Sequence, residues 1–242
     1  MFQLDLSLRS LKRLLIQSPL YKLSAGMTAG LLPIAYSFKF AQWFHESDVS
    51  HRLLHLDSEF EYDNRYALYG ALAEEFSLDR EPIQYLEFGV ATGCSLRWWT
   101  DHSSNSSSRF VGFDTFDGLP ERWGRFPQGA FATGGEVPEI QDSRCSFRKG
   151  LFHETLPPFL QGLPESSARS VIHMDADLYG STLFVLVTLA PRLKPGDLLI
   201  FDEFADVMNE FRALLDLGRS FPLKLRLIRA VNWGGNIALA VE

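Results

Sequence analysis

Gln84-Tyr85-Leu86-Glu87-Phe88-Gly89-Val90-Ala91-Thr92-Gly93-Cys94-Ser95 is the stretch on which the fold turns. A short apolar run stops in an acid and two glycines before helix-forming residues resume, which reads as strand, tight turn and helix. Residues 83–88 suit a buried parallel strand, and Gly89 and Gly93 let the backbone bend sharply and approach a ligand at the next helix's N-terminus. The loop offers G-x-A-x-G, not the G-x-G-x-x-G of a dinucleotide site. Glu87 stands where the strand meets the crevice. A carboxylate there disfavours a polyphosphate and favours an ammonium, a sulfonium or ribose hydroxyls, which points to S-adenosylmethionine.

Downstream the pattern repeats. Arg109-Phe110-Val111-Gly112-Phe113-Asp114 is a second strand ending in an acid, residues 146–151 a third, and Val171-Ile172-His173-Met174-Asp175 a fourth. Pro195-Gly196-Asp197 turns the chain into a fifth strand, residues 198–201, which runs into Asp202-Glu203. Helices are expected at the start of the first βα unit, after His153, from about 179 to 193 and over 207–217. Residues 224–230 and 236–241 read as a closing hairpin. Strands alternating with helices predict one parallel α/β sheet with its strand-end acids at a common crevice. Asp114 is there the natural partner of ribose hydroxyls, with a helix cap or turn as its plain structural duty.

Two intervals lack periodicity. The serine-rich residues 101–108 are expected to be a solvent-facing connection, whereas residues 115–140, with Phe116, Trp123, Phe126 and Phe131 among turn formers, read as a lid over cofactor and acceptor. At the N-terminus, Leu4, Leu8, Leu11, Leu14 and Leu15 recur at helical spacing with Arg9, Lys12 and Arg13 mostly elsewhere. This amphipathic helix suits packing on its own domain or a second subunit, or an anionic membrane surface. The aromatic stretch 36–44 is equally helical and equally in need of cover, so residues 1–80 read as a helical cap and dimerisation extension before a domain over 81–242. Tyr62, Arg65 and Tyr66 are within reach of a cofactor or serve as core packing. His51 and His55, at i and i+4, lack a completing carboxylate pattern and read as surface or capping residues.

Composition narrows the function classes. With 242 residues and 46% hydrophobic content the chain can bury one sizeable core, and 23 Lys and Arg against 30 Asp and Glu disfavour a nucleic-acid partner and favour a small-molecule acceptor. No run approaches the roughly 20 apolar residues of a transmembrane helix, and the start does not resemble a cleaved signal, so a cytoplasmic protein is expected. Cys94 and Cys145 are too few for a disulfide framework, and Cys94 reads as a small packed residue.

Asp175 and the pair Asp202-Glu203 each end a strand, so three oxygen-donor acids should meet at one place, a set suited to Mg²⁺ or a similar divalent ion or else to capping helices with shifted pKa values. On LEFGVATGCS, VGFDTFDGLPE, GLFHETLP, IHMDADLYGST and PGDLLIFDEF, in that order over about residues 80–205, the chain resembles the TylF (macrocin O-methyltransferase) family of class I S-adenosylmethionine-dependent methyltransferases, and more distantly catechol O-methyltransferase. The resemblance implies a doubly wound, Rossmann-like seven-stranded sheet with an antiparallel last strand, and methyl transfer to an acceptor hydroxyl of a small molecule or natural product. It implies that Glu87, Gly89, Ala91, Thr92, Gly93 and Ser95 hold the methionine portion of the cofactor. Asp114, with Thr115 beside it, would serve the ribose, and Asp175, Asp202 and Glu203 would ligate Mg²⁺. Two departures stand out: Glu203 replaces the family's usual Asp, and Leu178 occupies the place of the catechol enzyme's catalytic lysine. His153, which follows the third strand near the same crevice, reads as the candidate general base or as a packed or surface histidine, Asp175 as a catalytic residue as well as a metal ligand, and His173 as a satisfied core residue.

Overall fold

The computed structural model describes residues 2–19, 21–47, 60–163 and 167–242. His51 and His55 lie outside the described residues. Three helices come first, α1 (Phe2–Gln17), α2 (Tyr21–Glu46) and α3 (Asn64–Phe76). Then β1 (Ile83–Phe88), α4 (Cys94–His102), β2 (Arg109–Asp114), β3 (Cys145–Lys149), α5 (Phe152–Gly162), β4 (Arg169–Met174), α6 (Tyr179–Leu189), β5 (Leu198–Phe201), α7 (Glu210–Ser220), β6 (Leu225–Val231) and β7 (Asn236–Val241) follow.

The strands form one seven-stranded sheet in the order β3-β2-β1-β4-β5-β7-β6. β1 to β5 are parallel and β7 runs antiparallel between β5 and β6. The chain winds outward from β1 through β2 to β3 and then returns to the other side of β1 with β4, so the winding direction reverses between β1 and β4. Ligands of such sheets sit in the crevice beyond the strand ends at this point.

Strand alternation sorts the core into two layers. Leu86, Phe88, Ile172, Met174, Leu199 and Phe201 face one side, against α5, α6 and α7. Ile83, Tyr85, Val171, Leu198 and Ile200 face the other, against α3 and α4. The aromatic end of α2 finds the cover it needs on its own domain, since Phe40 and Trp43 pack on Phe204 and Phe211 with ring centroids 5.1–6.1 Å apart. The α1 face differs: Leu8, Leu11, Leu14 and Ile16 are 50–73% exposed. Among the described residues no helix is long and apolar enough to cross a membrane.

Two expectations are corrected. The serine-rich loop is not wholly solvent-facing: Ser103 and Ser108 are buried, because Ser108 Oγ accepts from the Ile83 N–H at 3.2 Å and so ties off the start of β1. Cys94 is exposed, not packed, because it opens α4 on the face turned from the sheet.

Candidate active site

A cavity of about 830 Å³ opens at the carboxyl ends of the parallel strands, a volume in the range of small-molecule sites. Its floor is made by strand ends: Gly89 and Ala91 after β1, Asp114 and Thr115 at β2, Asp175 and Asp177 after β4, Asp202 and Glu203 after β5. Aromatic rings form much of the wall, with Trp123, Phe126 and Phe131 from residues 115–144 facing Phe152, Phe184 and Tyr62. That irregular segment is pinned rather than loose. Trp123 and Phe126 bridge each other and stack, and Trp123 Nε1 donates to Asp206 Oδ2 at 2.8 Å, tying it to the turn after β5.

Gly89 makes the crevice possible. Its φ is +94°, and a Cβ there would stand 1.8 Å from the Asp175 carbonyl oxygen, so only glycine lets the β1 loop pass beside the β4 terminus. Ala91 follows at φ 45°, a left-handed conformation unusual for alanine. Asp114 holds this turn from below: its Oδ2 accepts from the Val90 and Ala91 N–H groups at 2.7 and 2.8 Å, and its Oδ1 from Phe116 N–H at 2.7 Å. The loop is thus fixed against β2 by one carboxylate that also faces the cavity.

Of the residues expected to cradle a cofactor, Gly89, Ala91, Asp114 and Thr115 line the cavity, whereas Glu87, Thr92, Gly93 and Ser95 do not. Glu87 shares the strand face of Ile83 and Tyr85, and so points into the layer beneath α3 and α4. Tyr85 Oη donates to Glu87 Oε2 at 2.7 Å and also lies 2.7 Å from His173 Nδ1. Tyr69 Oη joins Ser95 at 3.1 Å and His173 Nε2 at 3.4 Å. His173 is, as expected, a satisfied core residue, and burial holds its pKa below the usual value. Glu87 and Asp202 flank the same imidazole, at 4.0 and 3.8 Å, so the acids of β1 and β5 do converge.

Burial pushes Glu87 up to about 8, opposed by the Tyr85 hydrogen bond and reinforced by the charge of Asp202. The folded protein therefore keeps a proton that the unfolded chain releases near the ordinary carboxylate value. Stability attributable to Glu87 should then fall as pH rises from about 4.5 to about 8, and Glu87→Gln should flatten that decline. Urea unfolding across this interval checks it; equal slopes for the two proteins would contradict it.

The remaining acids crowd together. Asp202 is 2% exposed and is held by Asn236 Nδ2, which donates to its carbonyl at 2.7 Å and to Oδ1 at 3.0 Å. Arg65 Nη1 of α3 stands 3.4 Å from Asp202 Oδ2 and 3.9 Å from Asp175 Oδ2. Burial, then the charges of Asp202 and Asp177, keep Asp175 well above the carboxylate range. The same causes push Glu203 up to about 7. Burial, then Asp202, Asp206 and Asp114, push Asp177 up to about 7. These acids are all oxygen donors, which is the chemistry of a Mg²⁺ site. Their arrangement is not, since among the described residues no three His, Cys, Asp or Glu side chains stand close enough together to hold a metal ion.

Sequence reasoning passed over Asp177. It lines the cavity beside the β1 loop with φ 58°, two residues beyond Asp175 and on the far side of the turn into α6. Its signal was present in IHMDADLYGST, where a second acid follows the strand-end acid at the same rim. His153 lies on the rim of the same cavity, exposed, with its ring edge-on to Phe184.

Comparison with known proteins agrees with this geometry. Residues 86–204 match a family model described as "Methyltransferase domain". Over 78 residues, 30% of this chain and 28% of the relative, the chain is 38% identical to 8-demethyl-8-(2,3-dimethoxy-alpha-L-rhamnosyl)-tetracenomycin-C 4'-O-methyltransferase of Streptomyces olivaceus. Over 80 residues, 30% of this chain and 29% of the relative, it is 32% identical to mycinamicin III 3''-O-methyltransferase of Micromonospora griseorubida. These matches span less than a third of either relative's length. The crystal structure of CalS11, a calicheamicin methyltransferase, superposes over 96% of this chain and 90% of that one with a TM-score of 0.59 at 23% identity, a likeness of fold. Residues 86–204, just under half of the chain, thus resemble a methyltransferase domain, and the chain carries the Rossmann-like methyltransferase fold.

Proposed function

We propose that the protein is an S-adenosylmethionine-dependent O-methyltransferase of the TylF type that methylates a sugar hydroxyl of a glycosylated natural product. The observation that carries the reading is the glycine-turned loop of β1 abutting the β4 terminus at the sheet's reversal point, with an acid-floored, aromatic-walled cavity above it. One of these relatives is named for 4'-O-methylation of a rhamnosyl-tetracenomycin and the other for 3''-O-methylation of mycinamicin III, and an aromatic wall suits an apolar aglycone.

Gly89, Ala91, Asp114 and Thr115 would hold the cofactor, with Asp114 changing partners from backbone to ribose, and Glu87, Thr92, Gly93 and Ser95 would shape the loop from outside the cavity. Methyl transfer needs acceptor oxygen, methyl carbon and sulfur in line, so holding both molecules in one enclosed cavity supplies much of the acceleration. The acceptor oxygen bonds to the methyl carbon as the carbon–sulfur bond breaks, leaving S-adenosylhomocysteine, and the hydroxyl proton passes to a base. Asp177 is the better placed base. It faces the cavity with a pKa of about 7, close to the working pH at which a general base is most effective, whereas His153 sits at the exposed rim. The Mg²⁺ expectation draws only on the donor types of Asp175, Asp202 and Glu203, and their arrangement does not support it.

Methyl-labelled S-adenosylmethionine incubated with glycosides bearing free sugar hydroxyls tests the function. Label appearing on a sugar oxygen is the expected result. Label on nitrogen or carbon, or none with any glycoside, counts against it.

The exposed leucine face of α1 is read as a subunit contact, making the protein a homodimer. Light scattering should give a dimer for the whole chain and a monomer after removal of residues 1–19. A monomeric whole chain would contradict this.

A further inference from the structure

Arg65 is 2% exposed, and it is held in place before any acid is considered. Its Nε donates to the Tyr62 carbonyl at 3.1 Å, and its guanidinium lies flat on the Tyr62 ring, 3.2 Å from the centroid. From there Nη1 reaches Asp202 and Asp175, the ends of β5 and β4. Its Nη2 is buried without a hydrogen-bond partner among the described residues, as is Glu210 Oε1 behind Glu203. A buried guanidinium with an idle donor is costly unless neighbouring carboxylates carry its counter-charge, and the buried Asp202 beside the part-buried Asp175 gains from a cation in return. The pairing answers both needs. It also uses the two acids that a divalent ion would require, and among the described residues no three acids are grouped around a metal position.

We propose that Arg65 is the resident cation of the Asp175–Asp202 pair and takes over the charge-neutralising part of a divalent ion, so that the site stands and binds its cofactor without metal. This rests on the reading of the cavity as a cofactor site. Arg65 acts through Asp175 and Asp202 and is a positioning residue, not one that touches the reacting atoms. Three positive assignments follow: the two acids are ordered in the metal-free protein, divalent ions bind weakly because a guanidinium repels them, and removing that guanidinium creates a metal site from the acids left behind.

The test uses the full chain and Mn²⁺ as probe, followed by the paramagnetic resonance signal of the free ion, together with calorimetric titration of S-adenosylhomocysteine in buffer with and without EDTA. Wild type should bind Mn²⁺ only in the millimolar range, with cofactor affinity unaffected by EDTA. Arg65→Gln, which keeps a donor but loses the charge, should bind Mn²⁺ at least about tenfold tighter, and Arg65→Lys should follow wild type. Tight Mn²⁺ binding by wild type, or cofactor binding abolished by EDTA, overturns the proposal. So does an Arg65→Gln protein that is folded yet gains no Mn²⁺ affinity. Should Arg65→Gln fail to fold alone, folding on addition of Mn²⁺ supports the proposal and failure with Mn²⁺ overturns it. Absence of S-adenosylhomocysteine binding in every protein would instead strike the cofactor site, while the Mn²⁺ comparison still decides the role of Arg65.

Discussion

Asp177→Asn should lower kcat by about 10²–10⁴-fold, the usual contribution of a positioned general base, while leaving S-adenosylhomocysteine affinity within about threefold of wild type. The substitution is well isolated. At φ 58° asparagine is among the few residues at ease, so the turn between β4 and α6 keeps its shape and loses only the ability to take a proton. In wild type, kcat should rise with pH through about 7, because burial and the charges of Asp202, Asp206 and Asp114 hold Asp177 protonated below that point. The variant should lack this rise. Stopped-time methylation assays across the range decide it. An Asp177→Asn enzyme of near wild-type kcat would move the base elsewhere, and an accompanying loss in His153→Gln would place it at the rim.

Gly89→Ala should be the most damaging single methyl group in the molecule. The added carbon meets the Asp175 carbonyl oxygen at 1.8 Å, a backbone atom that cannot rotate away, and alanine is itself strained at φ +94°. Backbone strain and overpacking each cost about 1–3 kcal/mol, so a total of about 2–6 kcal/mol of stability is expected to go. The surviving folded protein should bind cofactor at least about 100-fold more weakly, since parting β1 from β4 opens the crevice at its floor. Chemical unfolding with calorimetry on the same sample measures both. Wild-type stability and affinity in Gly89→Ala would mean that the β1 loop does not pass this close to β4.

The sheet was largely legible in the sequence because buried parallel strands are written as short apolar runs with abrupt ends. β1, β2 and β5 fall where Leu86-Glu87-Phe88, Phe113-Asp114 and Phe201-Asp202 stop. Helix α7 starts later than its periodicity indicates, at Glu210 and not Val207. The reason is local: Asp206 accepts from Met208 N–H and from Asn209 Nδ2, so a side-chain-capped turn takes the place of the first helical turn.

The site was legible in part. Glu87 was placed at the crevice by its position at a strand end, but alternation along β1 puts it on the face of Ile83 and Tyr85, away from the cavity. The role of Arg65 could not be read from the chain, because it depends on α3 crossing the ends of β4 and β5 more than a hundred residues later. The Trp123–Asp206 contact is of the same kind, two separate turns joined only in the fold.

The most direct test of the account is calorimetric titration of the wild-type protein with S-adenosylmethionine in metal-free buffer. One molecule bound per chain, with binding lost in Gly89→Ala, is the predicted result. A folded wild-type protein that takes up no S-adenosylmethionine would contradict it.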